Sequence, residues 1–408
     1  MPPVNPVPRR RSAPGAYLDH AATTPMVPEA AAAVGEGFAA VGNPSSLHSA
    51  GRAARRVVEE ARETIAQAVG ARPSEVIFTS GGTEADNVAV KGLYWARQHA
   101  DPRRCRVLAP ATEHHAVLDP LVWLAEAAGA QLEMLPVDST GRLRLDALDR
   151  ALGRDPDSVA LVSCMWANNE AGTINPVSDV VELAHEHGVP VHSDAVQAVG
   201  QVPVDFAASG LDAMTLTAHK LGGPIGVGAL LAGRELDLVP LLHGGGQERQ
   251  IRSGTLSAAL TAGFAVAVES AVARQPEQAT RLEALRARLV AGVTAAVPDV
   301  VLNGDPRPGP ASRLPGIANL AFPGCEGDSL LMLLDAHGIS CSTGSACTAG
   351  VPQASHVLLA MGCDDTAARS ALRLSLGHTS TDDDVDLLLH VLPAIAERAR
   401  AAGPGSRR

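Results

Sequence analysis

A lysine between an apolar run and a turn is the first residue of the sequence that could carry out chemistry. Lys220 lies between Ala213–Leu216 and the turn-forming residues Gly222, Gly223 and Pro224. A lysine that is partly shielded from water has a lowered pKa, and its neutral amine can form a Schiff base with a carbonyl group. A solvated surface loop would give the same pattern, so Lys220 is a candidate that needs further support.

An aspartate follows another apolar run. Asp194 comes directly after Val189–Ser193. A buried carboxylate is costly unless it meets a positive partner, and the protonated ring nitrogen of a pyridine cofactor is such a partner. The alternative is that Asp194 caps a neighbouring helix.

A glycine-rich turn follows the predicted strand Glu75–Thr79. Its residues Gly82 and Thr83 present free backbone N–H groups and a hydroxyl at the start of a helix, where a phosphate could bind. An ordinary helix cap has the same pattern. Two further polar segments, Thr112–His115 and Asn168–Gly172, also follow predicted strands, and each taken alone fits a cap or a turn.

These three signals together indicate one cofactor. A phosphate-binding turn, a carboxylate and a Schiff-base lysine are the groups that pyridoxal phosphate (PLP) requires of a protein. Ligands of parallel sheets bind beyond the carboxyl ends of the strands. Because each of the three groups follows a predicted strand, we expect them to meet at one edge of one sheet and to form a PLP site.

The elements that must position these residues alternate between strand and helix from about residue 55 to residue 232. Continuous apolar strands that alternate with amphipathic helices predict a mostly parallel α/β sheet that is covered on both faces. The predicted strands are Glu75–Thr79, Arg106–Ala109, Val159–Met165, Val189–Ser193 and Ala213–Thr217, and the predicted helices are Glu84–Arg97, His115–Ala128 and Val177–His187.

The pattern changes after Thr255. Two Ala-rich helices are predicted between Leu256 and Val297, and strands near Ile317–Phe322 and Leu372–Leu376 indicate a smaller α+β domain. The last helix should begin after a cap at Ser380 or Thr381. We therefore divide the chain into a disordered tail (1–16), a large PLP-binding domain (17–258) and a small C-terminal domain (259–408).

Composition excludes several classes of protein. The 408 residues are 46% hydrophobic and 2% aromatic, and the formal net charge of −11 argues against a nucleic-acid or anionic-membrane surface. No run is long and apolar enough to span a bilayer, and the start does not fit a signal peptide. The six scattered cysteines contain no C-x-x-C pair, which argues against a zinc site or a disulfide framework and favours a reduced, cytoplasmic setting.

Two residues of the smaller domain could act on a substrate. Cys347 is flanked by small residues, which indicates a mobile loop, although a lone cysteine is often a small core residue. Arg373 alternates with Leu372 and Leu374, so its guanidinium should lie on the strand face opposite the leucines. There it could bind a carboxylate in a cleft through two hydrogen bonds, or it could simply face solvent.

The ordered motifs resemble the cysteine desulfurase family of the class V, fold-type I aminotransferases. The resemblance extends from Tyr17 to about Ala402, and Ser345-Ala346-Cys347-Thr348 is typical of the long-loop members that depend on a scaffold protein. It implies a seven-stranded, mostly parallel sheet with a smaller α+β domain. The motifs that carry it are Tyr17–Pro25, Asn43–Ser46, Thr79–Glu84, Thr112–His114, Asn168–Glu170, His219–Lys220, Arg252–Thr255 and Gly344–Cys347.

The resemblance also implies roles for individual residues. Lys220 would hold PLP covalently and act as the base at the substrate Cα, Asp194 would face the ring nitrogen, and His114 would stack on the ring. Gln197 and Asn169 would lie near the ring hydroxyl. The phosphate would be held by Gly82, Thr83, Thr217 and His219, with Thr255 reaching in from a second subunit.

The same resemblance implies the reaction. Asn43 and Arg373 would bind the carboxylate of L-cysteine, and Cys347 would take the sulfur as a persulfide while alanine is released. His114 would assist as a catalytic proton acceptor. A homodimer is expected, and the sulfur would pass to an iron–sulfur scaffold, a tRNA-thiolation enzyme or a cofactor-biosynthesis protein.

Other functions stay open at this point. A selenocysteine lyase or an aminotransferase could use the same fold, and a scaffold subunit without PLP is a third possibility. Cys347 argues against the aminotransferase, and the intact Lys220 and Asp194 argue against the scaffold. Three departures from common family residues, His20, Ile225 and His378, fall on no residue with an expected role and indicate a different partner surface.

Overall fold

The computed structural model describes residues 15–344 and 354–402, which contain a seven-stranded sheet and two smaller sheets. The strands are β1 Ala16–Tyr17, β2 Val76–Thr79, β3 Arg106–Pro110, β4 Gln131–Leu135, β5 Val159–Ser163, β6 Val191–Asp194, β7 Ala213–Thr217, β8 Gly228–Ala232, β9 Val301–Asn303, β10 Ile317–Ala321, β11 Ile339–Ser340 and β12 Ala371–Ser375. The helices are α1 Pro28–Ala39, α2 Ser49–Ala68, α3 Gly82–Ala100, α4 His115–Ala127, α5 Leu145–Arg154, α6 Val177–Glu186, α7 Phe206–Ser209, α8 Ala258–Ala296, α9 Gly327–Ala336, α10 His356–Ala360, α11 Asp365–Arg369 and α12 Asp382–Ala402.

The large sheet confirms the predicted fold class. Its strand order is β2-β8-β7-β6-β5-β3-β4. Pairing is parallel from β7 to β4, and only β8 runs antiparallel to its two neighbours. The central strands β5, β6 and β7 are buried along their whole length, as expected for a sheet with both faces covered.

Some strands differ from the prediction. The sixth strand begins at Val191 and not at Val189, because Pro190 has no N–H to donate to the ladder. Two strands of the large sheet were not predicted: β4 is a partly exposed edge strand, and β8 consists of Gly, Ala and Leu. Both carry a signal that the prediction did not use: in β4 the polar Gln131 and Glu133 alternate with Leu132 and Met134, and β8 is a short apolar run.

The prediction of two helices between Leu256 and Val297 is wrong. A single helix, α8, runs without interruption through Pro276. Its first half buries Phe264 and Val268 in the core beneath the large sheet, and its second half buries Leu285 and Leu289 in a separate core. Packing at both ends holds α8 as one helix despite the hydrogen bond that Pro276 cannot donate.

The second core is built on the sheets that follow α8. Strands β12, β10 and β9 form an antiparallel sheet in that order, and β1 pairs in parallel with β11. Helix α12 covers this core and begins after Thr381, whose hydroxyl accepts a hydrogen bond from the N–H of Asp384 (3.4 Å). The predicted cap at Thr381 is therefore confirmed, and its own N–H donates to the Asp384 carboxylate (2.7 Å).

Parts of the sequence prediction lie outside the described residues. The predicted tail falls almost wholly within residues 1–14, and Cys347 falls within residues 345–353. The proposed division between residues 258 and 259 falls at the start of α8 and stays a prediction. Within the described ranges, no helix is both long and apolar enough to cross a membrane.

Candidate active site

A cavity of about 950 Å³, including its open mouth, lies at the carboxyl-end edge of the large sheet. It collects most of the residues that the sequence singled out. Those that line it are Gly82, Thr83, His114, Asn169, Asp194, Gln197, Thr217, His219, Lys220 and Arg373.

Lys220 lies in a single helical turn, Ala218–Lys220, directly after β7. Its Nζ donates hydrogen bonds to the backbone carbonyls of Ala21 and Ala22, the latter over 2.7 Å. Burial lowers the pKa of Lys220 to about 8, and the nearby charge of Arg373 contributes to this. A fraction of the amine is therefore neutral at physiological pH and can act as a nucleophile or as a base.

Asp194 is the last residue of β6, and its side chain is buried. Its Oδ1 accepts a hydrogen bond from the N–H of Val196 over 2.8 Å. Burial raises the pKa of Asp194 to about 6, although the Val196 N–H and the positive charge of Lys220 oppose this. A cationic group in the cavity would meet this carboxyl group and favour its ionised form.

Two more buried carboxyl groups lie near Asp194: Asp86, which lines the cavity, and Glu113. Burial raises the pKa of Glu113 to about 8. Burial also holds the pKa of Asp86 well above its usual range. The negative charge of Asp194 raises the pKa of both groups further. Glu113 accepts one hydrogen bond, from the N–H of Met165 (2.5 Å). Asp86 Oδ1 and Glu113 Oε2 have no hydrogen-bond partner among the described residues, and with a pKa of about 8 Glu113 is mostly protonated at neutral pH.

The N-terminus of α3 forms an anion-binding wall of the cavity. Gly82 is the first residue of this 19-residue helix, whose free N–H groups and dipole attract negative charge. A Cβ on Gly82 would lie 3.1 Å from Val196, so a larger residue would crowd the cavity floor. His219 and Thr217 line the same cavity, and burial together with Lys220 lowers the pKa of His219 to about 4.

Arg373 projects from β12 towards the large sheet. As expected from the alternation, Leu372 and Leu374 are buried in the second core, while Arg373 lines the cavity. Its guanidinium donates to Asp19 Oδ1 (2.8 Å) and to the carbonyl of Asn169 (3.1 Å), and its Nε has no partner in the described part of the chain. These two bonds fix the guanidinium in place beside the cavity.

His114 lies at the N-terminus of α4, with its ring exposed to the cavity. Its Nδ1 accepts a hydrogen bond from the N–H of Ala116 (3.1 Å), which leaves the proton on Nε2. Protein surrounds the ring on its other sides, and this desolvation, together with the charge of Lys220, lowers the pKa of His114 to about 4. The ring is neutral at physiological pH and can stack against a planar ligand.

Some predicted residues lie elsewhere. Asn43 is exposed, and its Oδ1 accepts a hydrogen bond from the N–H of Ser45 (2.9 Å), away from the cavity. Thr255 is also exposed and outside the cavity, and Cys347 lies outside the described residues. The roles of these three residues stay predictions.

Two residues of the site were missed in the sequence. Asp86 lies on the buried side of α3 among Ala85, Val88 and Ala89, where a carboxyl group is unusual. Asp19, which holds Arg373, gave no signal beyond the family motif. The low lysine content was a stronger signal, because Lys220 and Lys91 are the two lysines of the chain.

Comparisons with known proteins agree on one family. Residues 16–388 match the family model described as "Aminotransferase class-V". The chain is 59% identical over 387 residues to an IscS-like cysteine desulfurase of Mycobacterium tuberculosis, covering 95% of this chain and 98% of that protein. It is 41% identical to the cysteine desulfurase NifS of Azotobacter vinelandii, covering 95% of this chain and 94% of that protein. A solved NifS-like protein superposes with a TM-score of 0.84 at 34% identity, covering 94% and 99% of the two chains.

The raised pKa of Glu113 predicts a pH-dependent stability. The folded chain keeps this carboxyl group protonated to about pH 8, whereas the unfolded chain ionises it near pH 4.5. Stability that is present at low pH is therefore lost as the pH rises through this window, by up to about 1.4 kcal/mol per pH unit. We expect the free energy of unfolding of the cofactor-free protein, measured with denaturant, to fall less between pH 5 and pH 8 in Glu113→Gln than in the wild type.

The exposed glutamate Glu63 provides the control. Glu63→Gln should leave the pH dependence unchanged. An equal fall in stability for Glu113→Gln and the wild type would show that Glu113 is ionised in the folded chain.

Proposed function

Because the chain belongs to the class V aminotransferases and, within them, to the cysteine desulfurases, we propose that it takes sulfur from L-cysteine and releases alanine. The observation that carries this proposal is the meeting of Lys220, Asp194 and the N-terminus of α3 in one cavity, opposite Arg373. The relatives are named desulfurases, and this favours that reaction over a selenocysteine lyase or an aminotransferase.

Pyridoxal phosphate is the cofactor that this cavity fits. The N–H groups and hydroxyls at Gly82, Thr83 and Thr217, with His219, would hold its phosphate, and the buried Asp194 would pair with its ring nitrogen. His114 would stack on the ring, and Gln197 and Asn169 would lie near the ring hydroxyl. When bound, the cofactor supplies an electron sink for a carbanion at the substrate Cα.

Lys220 and Arg373 would handle the substrate. The amine of Lys220, with its pKa lowered to about 8, can hold the cofactor covalently and, once displaced, take the proton from the substrate Cα. Arg373, whose side chain lines the cavity, would bind the substrate carboxylate, and Asn43 is proposed to assist. Asp19 keeps the guanidinium in position before substrate arrives.

Cys347 is proposed as the sulfur acceptor within the chain. Its thiolate attacks the substrate sulfur, so an S–S bond forms while the Cβ–S bond breaks. The bonding electron pair stays on the carbon fragment, which takes up a proton and leaves as alanine. Gly344 lines the cavity and lies three residues before Cys347, a stretch that spans at most about 11 Å.

The persulfide sulfur would then pass to an acceptor protein in the cytoplasm, which either builds iron–sulfur clusters or thiolates tRNA or a cofactor. The cysteines that the structure describes are free, which fits a reducing compartment.

A homodimer completes the proposal. Large apolar side chains that one chain leaves exposed would be covered by a second copy; they are Phe38, Val41, Leu47, Ile225 and Leu242. Thr255 is exposed and lies just before α8, which packs against α1, the helix that carries Phe38. Thr255 is therefore free to enter the phosphate site of a partner subunit.

The cofactor assignment predicts which lysine is labelled. Borohydride reduction of the PLP-loaded protein should fix the pyridoxyl group on Lys220, because its amine has a lowered pKa and lines the cavity. Peptide mapping should find Lys91 unlabelled, since its Nζ lies over the ring of Trp123 (4.4 Å to the centroid) and outside the cavity. Lys220→Ala should lose the label and Lys91→Ala should keep it; the reverse result would refute the assignment.

The dimer proposal predicts the effect of Thr255. Sedimentation should give a dimer for the PLP-loaded protein. Thr255→Ala should weaken PLP binding several-fold but leave the dimer intact. Thr294, an exposed threonine whose hydroxyl donates to the carbonyl of Val290 within α8, provides the control, and Thr294→Ala should change neither property. A monomer with full PLP occupancy and activity would contradict the proposal.

The sulfur-transfer proposal predicts the effect of Cys347. Cys347→Ala should abolish sulfide release from L-cysteine but leave PLP binding intact, because the proposed cofactor residues belong to the large sheet and its helices. Without a reductant, mass spectrometry of the wild type should find the extra sulfur on Cys347. Burial raises the pKa of the thiols of Cys164, Cys325, Cys341 and Cys363, so these should stay unmodified. Cys363→Ala serves as the control and should keep wild-type turnover; retained turnover in Cys347→Ala would show that another group accepts the sulfur.

A further inference from the structure

A second cavity adjoins the active-site cavity, and both are lined by Ala21, Val196, Gln197 and Lys220. We call it the Arg274 cavity. Its other walls come from the middle of α8, the turn that contains His20 and Thr24, and the segment that ends β12 and continues to His378. It therefore lies between the large sheet and the second core.

The side chains that line the Arg274 cavity are hydrogen-bond donors and apolar groups. Among the residues that the structure describes, no aspartate or glutamate lines the Arg274 cavity, whereas the active-site cavity contains Asp86 and Asp194. The side chains that bring nitrogen to it are His20, Gln197, Gln201, Lys220, Arg274, Gln278 and His378, and the hydroxyls come from Thr24, Ser270 and Ser375.

The two arginines of this region lack carboxylate partners. Arg274 lines the cavity and makes no hydrogen bond or ion pair with any described residue. Arg281 donates to the side-chain oxygen of Gln278 (2.8 Å) and to the backbone carbonyls of Gly377, His378 and Ser380, all of which are uncharged. Other arginines of α8 do have carboxylate partners, since Arg288 pairs with both Asp382 and Asp386.

Two histidines share one hydroxyl at the wall of the cavity. His20 is buried, and its Nδ1 lies 2.5 Å from Thr24 Oγ1, which is also 3.4 Å from His378 Nδ1. Burial, His378 and Arg281 lower the pKa of His20 to about 4, and burial with Arg274 and Arg281 lowers the pKa of His378. The charged groups that face these rings are thus all positive.

We infer that the Arg274 cavity binds a small oxyanion, held between the guanidinium of Arg274 and the imidazole of His378. A planar guanidinium and the amide groups of Gln201 and Gln278 offer N–H donors that match an oxygen-rich anion, and no lining carboxylate repels it. An anion would also offset the positive charge around His378 and favour its protonated form. Binding should therefore be tighter at pH 6 than at pH 8.

An anion in this cavity would act on the active site as well. Lys220 lines both cavities, so a negative charge in one stabilises the ammonium form of the amine that serves the other. Carboxylates and inorganic tetrahedral anions share the required chemistry, and the test separates them.

The test measures the thermal midpoint of the PLP-loaded protein against increasing sodium sulfate, sodium malonate, or sodium chloride at the same ionic strength. Sulfate or malonate should raise the midpoint along a saturable curve, and chloride should not. Sulfate also stabilises proteins by exclusion from their surface, but that effect does not saturate. A response to sulfate alone would assign an inorganic anion, and a response to malonate alone a carboxylate.

Variants locate the effect, since an anion could also bind at Arg373. Arg274→Gln should weaken the saturable binding at least tenfold, whereas Arg398→Gln, which removes an exposed arginine of α12, should leave it unchanged. His378→Asn should remove the difference between pH 6 and pH 8, and it replaces Arg274→Gln if that variant fails to fold. Saturable binding of equal strength in the Arg274 variant and the wild type, or no saturable binding at all, would overturn the inference.

Discussion

The hydrogen bonds from Lys220 to the carbonyls of Ala21 and Ala22 are the constraint on which the site depends. They hold the N-terminal turn against the end of β7. The same turn accepts the Gln197 amide at Ala21 and the Tyr17 hydroxyl at Thr23, and the N–H of Thr24 donates to the carbonyl of His219. A turn of four residues thereby defines one wall of the cavity and fixes the reactive amine without a charged partner.

That turn also connects the two main sheets. Asp19 forms a bridge to Ser375 at the end of β12 and pairs with Arg373, so the strand that brings the arginine to the cavity is tied to the segment that holds the lysine. Burial shifts ionisable groups of the site towards their neutral forms: it lowers the pKa of Lys220 and raises the pKa of Asp86 and Glu113. Desolvation explains both pKa shifts, since it disfavours the charged form of acids and of bases alike.

The sequence was sufficient to predict the sheet edge, because residues that follow parallel strands must meet there. Gly82, Asp194, Thr217 and Lys220 came together for that reason. It was not sufficient for contacts between distant segments: no local pattern indicates that Asp19 holds Arg373 or that His20 meets His378. Nor did it show that α8 is one helix: a proline such as Pro276 usually marks a helix break, and packing against two cores keeps the helix continuous there.

Helix α8 also imposes a rule on length changes in this chain. Phe264 and Leu289 belong to different cores but to one continuous helix, so their directions are set by the number of residues between them. Inserting or deleting one residue near Pro276 would rotate one half relative to the other by about 100° and turn its apolar side out of its core. Insertions in this stretch should therefore be acceptable only in steps close to whole turns, whereas a substitution leaves the direction of every other side chain unchanged.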